Sequence, residues 1–288
     1  MAKTARTYLI NGILSSEISS DFLAENRGFR LGDGFFETIR VVDGRIPFWN
    51  AHRLRLERAA KAWNMELPVF MERGFLLRSL EELLKHQGIR EGGRLRITVF
   101  REGGGAYSPN SNRAGYVVEV LPYHPNQFIV ADKGAKVAVY HGLKKASGPF
   151  SKFKMLGNQV SIQAGNWAKM NNLDEAILIN SRNHIVETTS GNFFLVKNGK
   201  VKTPALKEGG VAGIMRMAVI NLCLQENIPV FESELTAEDL PGAEELFFTN
   251  SMVGIKWIRS FGDNRYYHKV SDHLLNLVNK LAVEKVEA

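Results

Sequence analysis

Apolar and polar positions along the chain follow two rhythms, one of period two and one of about 3.6 residues. Residues 35–42, Phe35-Phe36-Glu37-Thr38-Ile39-Arg40-Val41-Val42, are rich in strand-forming side chains. Asp43-Gly44 follows as a hairpin signal, with Arg45-Ile46-Pro47-Phe48 as the start of a return strand. Helical spacing then takes over: Leu56, Ala59, Ala60 and Trp63 fall at i, i+3, i+4 and i+7, and Asn50 is placed to cap this helix. A second helix is expected from Val69 to about Gln87, stopping at Gly88. Arg94 to Phe100 and Tyr116 to Leu121 return to strand character.

Two prolines in Pro122-Tyr123-His124-Pro125 mark a connection between domains. This places a smaller domain at 1–121, a connection at 122–130 and a larger domain at 131–288. Beyond it, Val160, Ala164, Trp167 and Ala168 mark a helix, and Glu175 to Asn180 a strand. Phe193 to Lys197 and Lys200 to Thr203 flank Asn198-Gly199, a strong two-residue turn signal. Gly213-Ile214-Met215-Arg216 opens an apolar helix to about Asn227 that takes Cys223 into the core. Strands at 230–234 and 245–249 and a helix from about Ser271 complete an α+β order. Regular βαβ alternation and internal repeats are both missing from it.

Composition narrows the function classes. No apolar run approaches the roughly 20 residues of a membrane span, and the N-terminal residues do not form a signal peptide, so a cytoplasmic protein is expected. The single cysteine makes no internal disulfide, and the seven histidines show no metal-ligand spacing, so no metal is expected. The net charge of +7 favours anionic partners. The densest basic stretch, Arg53, Arg55, Arg58 and Lys61, alternates with apolar residues as one helix face would, which argues against a nucleic-acid-binding module. Gly32-Asp33-Gly34 and Gly103-Gly104-Gly105 lack a nucleotide fingerprint and read as tight turns. Gly209-Gly210-Val211-Ala212-Gly213 differs, because it leads straight into a helix whose first N–H groups can hold a phosphate.

Six segments occur in order: Arg27-Gly28-Phe29-Arg30-Leu31-Gly32-Asp33-Gly34-Phe35-Phe36-Glu37-Thr38-Ile39-Arg40; His52-x-x-Arg55-Leu56; Lys154-Met155-Leu156-Gly157-Asn158; Glu187-Thr188-Thr189-Ser190-Gly191-Asn192-Phe193-Phe194; Gly213-Ile214-Met215-Arg216; and Thr249-Asn250-Ser251. Together they resemble the class IV pyridoxal-phosphate enzymes, which include branched-chain and D-amino-acid aminotransferases and aminodeoxychorismate lyases. The resemblance runs from about Tyr8 to Trp257. It implies the two-domain α/β fold of that family, pyridoxal 5'-phosphate as cofactor, a homodimer, and an amino substrate bearing one or more carboxylates.

The resemblance also implies roles for individual residues. Lys154 matches the lysine that bonds the cofactor and later moves the substrate's α-proton. Glu187 matches the carboxylate facing the pyridine nitrogen, which keeps that nitrogen protonated. Arg55 matches a phosphate-binding arginine, and the N–H groups of Ile214 and Met215 match phosphate donors, with Ser190 and Ser251 adding hydroxyls. Val211 matches a side chain packed on the ring. Arg30, Thr38, Arg101 and Asn250 are expected around the substrate, and Lys144, Lys145 and Lys152 read as solvated cations. Five residues after Lys154, branched-chain enzymes carry a tyrosine; here the residue is Gln159. Within the family the motifs look most like aminodeoxychorismate lyase, with transaminases of branched-chain or D-amino acids as the alternative.

Overall fold

The computed structural model describes residues 6–68 and 75–283. The chain divides into two compact units, one of residues 1–127 with 153–157, the other of 128–152 with 158–288.

The first unit is built on a five-stranded antiparallel sheet of β1 (Tyr8–Ile10), β2 (Ile13–Ser15), β3 (Gly34–Val41), β4 (Gly93–Arg101) and β5 (Ala114–Pro122), in the order β2-β1-β5-β4-β3. Period-two burial along β4 sends Leu95, Ile97 and Val99 inward, and it is this alternation that fixes which face of the sheet is covered. Against that face pack α3 (Trp49–Ala62) and α4 (Phe75–His86). Leu56, Ala59 and Ala60 of α3 meet Leu76, Leu80 and Leu83 of α4 in one core with Ile39 and Val118. Two short helices, α1 (Ser20–Glu25) and α2 (Arg27–Leu31), precede β3.

Two local expectations are corrected here. The N-cap of α3 is Phe48, at φ 57° and without a side-chain cap bond, while Asn50 lies inside the first turn. Residues 45–48 form no return strand; Asp43-Gly44 makes the turn, Arg45 bridges once to Val42, and the chain goes directly into α3. The expected helix start at Val69 lies outside the described residues.

The second unit holds a nine-stranded mixed sheet: β6 (Ala135–Lys145), β7 (Glu175–Asn180), β8 (Ile185–Thr188), β9 (Asn192–Lys197), β10 (Lys200–Pro204), β11 (Val230–Ser233), β12 (Glu245–Asn250), β13 (Gly254–Phe261) and β14 (Asn264–Arg265). Their order is β11-β10-β9-β12-β13-β6-β7-β8, with β14 on β13. Parallel pairs need crossovers. Accordingly α5 (Gln159–Met170) links β6 to β7, and α6 (Ile214–Gln225) links β10 to β11. Asn198-Gly199 joins β9 to β10 with both φ values positive, 53° and 66°, as a two-residue turn of this type requires. Helix α7 (Lys269–Val283) closes the unit, and Cys223 is fully buried in α6. Among the described residues no helix is long and apolar enough to cross a membrane.

Candidate active site

In the first unit, residues 153–157 add themselves to the free edge of β3. Phe36 N–H donates to the Lys154 carbonyl at 2.8 Å and Leu156 N–H to the Gly34 carbonyl at 3.1 Å. A side chain at Gly34 would lie 2.2 Å from the Val99 carbonyl oxygen, so this strand start admits only glycine. With the backbone held in register, Lys154 Nζ sits 4.9 Å from the centre of the Phe36 ring. The Arg96 guanidinium lies 3.9 Å from the same ring. Arg96 is directly opposite Thr38 in the β3–β4 register, and its Nε donates to Thr98 at 3.3 Å. Burial pushes the Arg96 guanidinium below its usual pKa, against the opposing pull of Glu119. Sequence reading missed Arg96; its signal was its parity with Leu95 and Ile97, which puts it on the face opposite to theirs. A cavity of about 360 Å³, lined among others by Tyr8, Phe22, Thr98, Glu119 and Leu156, opens on the same unit.

The other face of β3 carries Glu37. Arg55 donates to it twice, Nε to Oε1 and Nη2 to Oε2, each at 2.6 Å, and His52 Nδ1 lies 2.8 Å from Oε2. All three side chains are buried. Burial by itself would raise the Glu37 pKa, but the charge of Arg55 and the bonds from His52 and Arg55 outweigh it and hold the carboxyl at about 2. His52 is pushed below its ordinary value, first by burial and then by the nearby cations Arg55 and Lys154, with Glu37 opposing. The fork that the sequence assigned to a phosphate is thus turned toward Glu37.

Arg101 is corrected as well. Its guanidinium donates to Asp33 at 3.1 Å, to Asn112 at 2.7 Å and to the carbonyls of Asn64 and Trp63. Arg27 meets the same Asp33 oxygen at 2.9 Å and also donates to the carbonyls of Gly104, Gly105 and Ala106. Two arginines on one aspartate therefore strap the glycine loop in place, and Arg101 belongs to this frame instead of to a substrate pocket. Arg30 is exposed at the end of α2.

In the second unit, Glu187 on β8 is buried. Its Oε1 lies 2.7 Å from Lys145 Nζ, and its Oε2 accepts the Val211 N–H at 3.0 Å. Lys145 is 11% exposed in this pair, which overturns its reading as a solvated cation. Lys144 turns the other way, toward Asn183, and Lys152 is exposed. The loop holding Val211 is fixed from its other side too, because Asn192 Nδ2 donates to the Val211 carbonyl at 2.8 Å.

The N-terminus of α6 has Gly213 as its cap, with no side chain bonding to it. A Cβ there would lie 2.0 Å from Asn192 Oδ1, so a side chain at 213 would push Asn192 off the Val211 carbonyl. Thr249, paired with Asn192 across β12 and β9, has a buried hydroxyl without a hydrogen-bond partner. The helix-entry N–H groups of Ile214 and Met215 and, on β12, an unsatisfied hydroxyl are donors of the kind that a phosphate dianion takes, and the residues present fit pyridoxal phosphate.

Two further residues expected at the site have partners within the fold. The Ser190 hydroxyl donates to Glu175 at the start of β7. The Asn250 side chain donates to the Ser190 carbonyl and accepts the N–H groups of Met252 and Val253, and so shapes the turn that carries Ser251. His184, Glu208 and Glu234 come within metal-ligand reach of one another. Arg182 on Glu208 and Lys207 on Glu234, each at 2.7 Å, make them an ion-pair network that anchors the turn before Gly209.

The family model for amino-transferase class IV matches residues 34–261. An aminodeoxychorismate lyase of Vibrio harveyi is 30% identical over 233 residues, 80% of this chain and 83% of that one. A Methanocaldococcus jannaschii protein provisionally named a branched-chain-amino-acid aminotransferase is 30% identical over 249 residues, 85% and 84% of the two chains. Among solved structures, the branched-chain aminotransferase of Thermoproteus uzoniensis with norvaline superposes at a TM-score of 0.85, at 23% identity and with 96% of each chain covered. The chain belongs to the class IV aminotransferase family and is a pyridoxal-phosphate-dependent enzyme.

Proposed function

We propose that this protein is a 4-amino-4-deoxychorismate lyase, converting its substrate to 4-aminobenzoate and pyruvate as a cytoplasmic homodimer. When bound, pyridoxal phosphate supplies a sink for the electron pair left when the substrate's amino-bearing carbon loses its proton. Lys154 would hold the cofactor and, as a free amine, would take up that proton. Glu187 would hold the ring nitrogen, Ile214 and Met215 N–H with Ser251 would hold the phosphate, and Val211 would pack on the ring. The carbon–oxygen bond to the enolpyruvyl group then breaks and the ring becomes aromatic. The departing enolpyruvate takes up a proton to become pyruvate, and 4-aminobenzoate leaves the site.

The observation that carries the lyase over the transaminase is the face of β3 and β4 beside Lys154. Arg96 and Thr38 stand opposite each other there, next to Phe36. A guanidinium suits a carboxylate of a substrate that has two, and the neighbouring hydroxyl suits the ether oxygen of the group that leaves. Gln159, the first residue of α5, supports the same choice, since it replaces the branched-chain tyrosine.

The test compares two measurements on purified enzyme. One is release of pyruvate and 4-aminobenzoate from enzymatically generated aminodeoxychorismate. The other is amino transfer from a panel of L- and D-amino acids to 2-oxoglutarate. The lyase reading expects the higher kcat/KM for aminodeoxychorismate and loss of both activities in Lys154→Ala. A faster amino donor with no 4-aminobenzoate formed makes the protein a transaminase.

A further inference from the structure

The Lys145–Glu187 pair is built with some care. Lys144 and Lys145 are adjacent at the end of β6, and strand alternation sends the first out to Asn183 at 3.2 Å and the second in to Glu187 at 2.7 Å. Opposite them, Gly209 has φ 108°, and a Cβ on it would lie 2.8 Å from the Ala146 carbonyl oxygen. Only glycine lets the 209–211 loop pass under residue 146 and bring the Val211 N–H to the second oxygen of Glu187. At Gly210, which follows, a Cβ would lie 3.2 Å from the Val186 carbonyl oxygen and in ordinary contact, 3.8 Å, with the same Glu187 oxygen.

A carboxylate has about four lone-pair sites, so one ammonium and one N–H leave room for a third donor. Geometry therefore permits a ring nitrogen to join. Charge makes the joining conditional. Beside Glu187 alone, a proton on that nitrogen would complete a neutral pair; with Lys145 already in place, the same proton gives the group a net charge of +1. Two cations on one buried anion repel each other, and the low surrounding dielectric strengthens that repulsion.

We propose that Lys145 is a positioning residue that fixes Glu187 as an ionised acceptor while competing with the cofactor's ring nitrogen for its charge, and thereby sets how firmly that nitrogen holds its proton. The inference rests on the reading of Glu187 as the partner of the ring nitrogen. No bond to carbon changes in this role; the only exchange is one proton between the nitrogen and solvent.

The test uses holoenzyme loaded with pyridoxal phosphate labelled with ¹⁵N in the ring, whose chemical shift reports protonation directly. Titrating wild type, Lys145→Met, Lys145→Gln and Lys145→Arg should place the two neutral variants about one pH unit or more above wild type, a tenfold gain in proton affinity, with the arginine variant at the wild-type position. The glutamine variant stands in should the methionine variant not fold. Neutral variants that titrate with wild type, or below it, overturn the proposal. Glu187→Gln separates the two layers: a titration unmoved by it removes Glu187 from the ring nitrogen. One that moves with Glu187→Gln but not with the neutral Lys145 variants overturns the role of Lys145 alone.

Discussion

In each unit one of the expected site segments buries a carboxylate against a cation, Glu37 with Arg55 and Glu187 with Lys145, and the two pairs are built for different ends. Glu37 receives both prongs of Arg55 and the His52 ring, three donors in all, on two oxygens. Glu187 receives one lysine and one backbone N–H. A planar guanidinium in bidentate contact fixes both partners and leaves the acid little capacity for a newcomer, whereas an ammonium is a point charge that a further donor can share. Saturation makes Glu37 a part of the frame under Lys154, and incompleteness makes Glu187 able to take a ligand. A buried charge is thus better judged by how many of its lone pairs are occupied than by how deeply it lies.

The strongest way to break this contrast is at Glu37. Glu37→Gln strands Arg55 in the core and should destabilise folding by about 3 to 5 kcal/mol, read as a fall in the denaturant midpoint of the apoenzyme. The same acid predicts a pH profile. A carboxyl held at about 2 when folded contributes stability that is present above its unfolded value and lost as pH falls through the folded one. Wild type should therefore lose roughly 3 kcal/mol between about pH 5 and pH 2, and Glu37→Gln markedly less. His52 acts in the same direction at milder acidity, since its lowered folded pKa makes the unfolded chain the better proton acceptor below about pH 6.5. A flat profile in wild type would deny Glu37 its saturated state.

Glu187→Gln leaves Lys145 without its carboxylate and should cost stability too, but its main proposed effect is a fall in kcat on the order of 10²- to 10³-fold in the cofactor-loaded enzyme, because an amide would not hold a protonated ring nitrogen. Unchanged kcat in a variant that retains cofactor would erase the functional half of the comparison. Arg55 is best examined in a Glu37→Gln background, where no carboxylate is left unpaired. Arg55→Ala should there leave cofactor retention unchanged, as judged by dialysis and back-titration, because the fork faces position 37; weaker retention would give Arg55 a phosphate role after all. Lys144→Ala should likewise stay within about 0.5 kcal/mol of wild-type stability with unaltered kinetics. A larger effect would mean that strand parity does not separate the two lysines.

Sequence pattern carried much of this. The β7 strand, the Asn198-Gly199 hairpin and the apolar helix with Cys223 inside it were all legible, because period and turn chemistry are local properties. β6 was missed, being a central strand with a parallel neighbour on each side that is distant in sequence, and β13 was missed although one of its neighbours, β12, lies next to it in sequence and pairs antiparallel. At the site, residue type was legible and allegiance was not. Nothing local distinguishes Lys145 from Lys144 until β6 exists, nor reveals that Arg55 and Arg101 will be claimed by Glu37 and Asp33, acids 18 and 68 positions away. Long-range ion pairs are chosen by topology, and that choice follows only after the sheet has formed.

The pairing of residues 154–156 with the start of β3 has a consequence for behaviour outside catalysis. β3 is an edge strand, and an uncovered edge offers its N–H and C=O groups to any other chain with a strand to add. Phe36 N–H and the Gly34 carbonyl are already engaged by the backbone that carries Lys154. The segment that holds Lys154, the amine proposed to react, therefore also acts as a guard on the sheet, and a substitution that loosens it, for example at Phe153 in the core beneath, would expose an aggregation-prone rim along with losing the position of Lys154. Selection for solubility and selection for chemistry then bear on the same five residues.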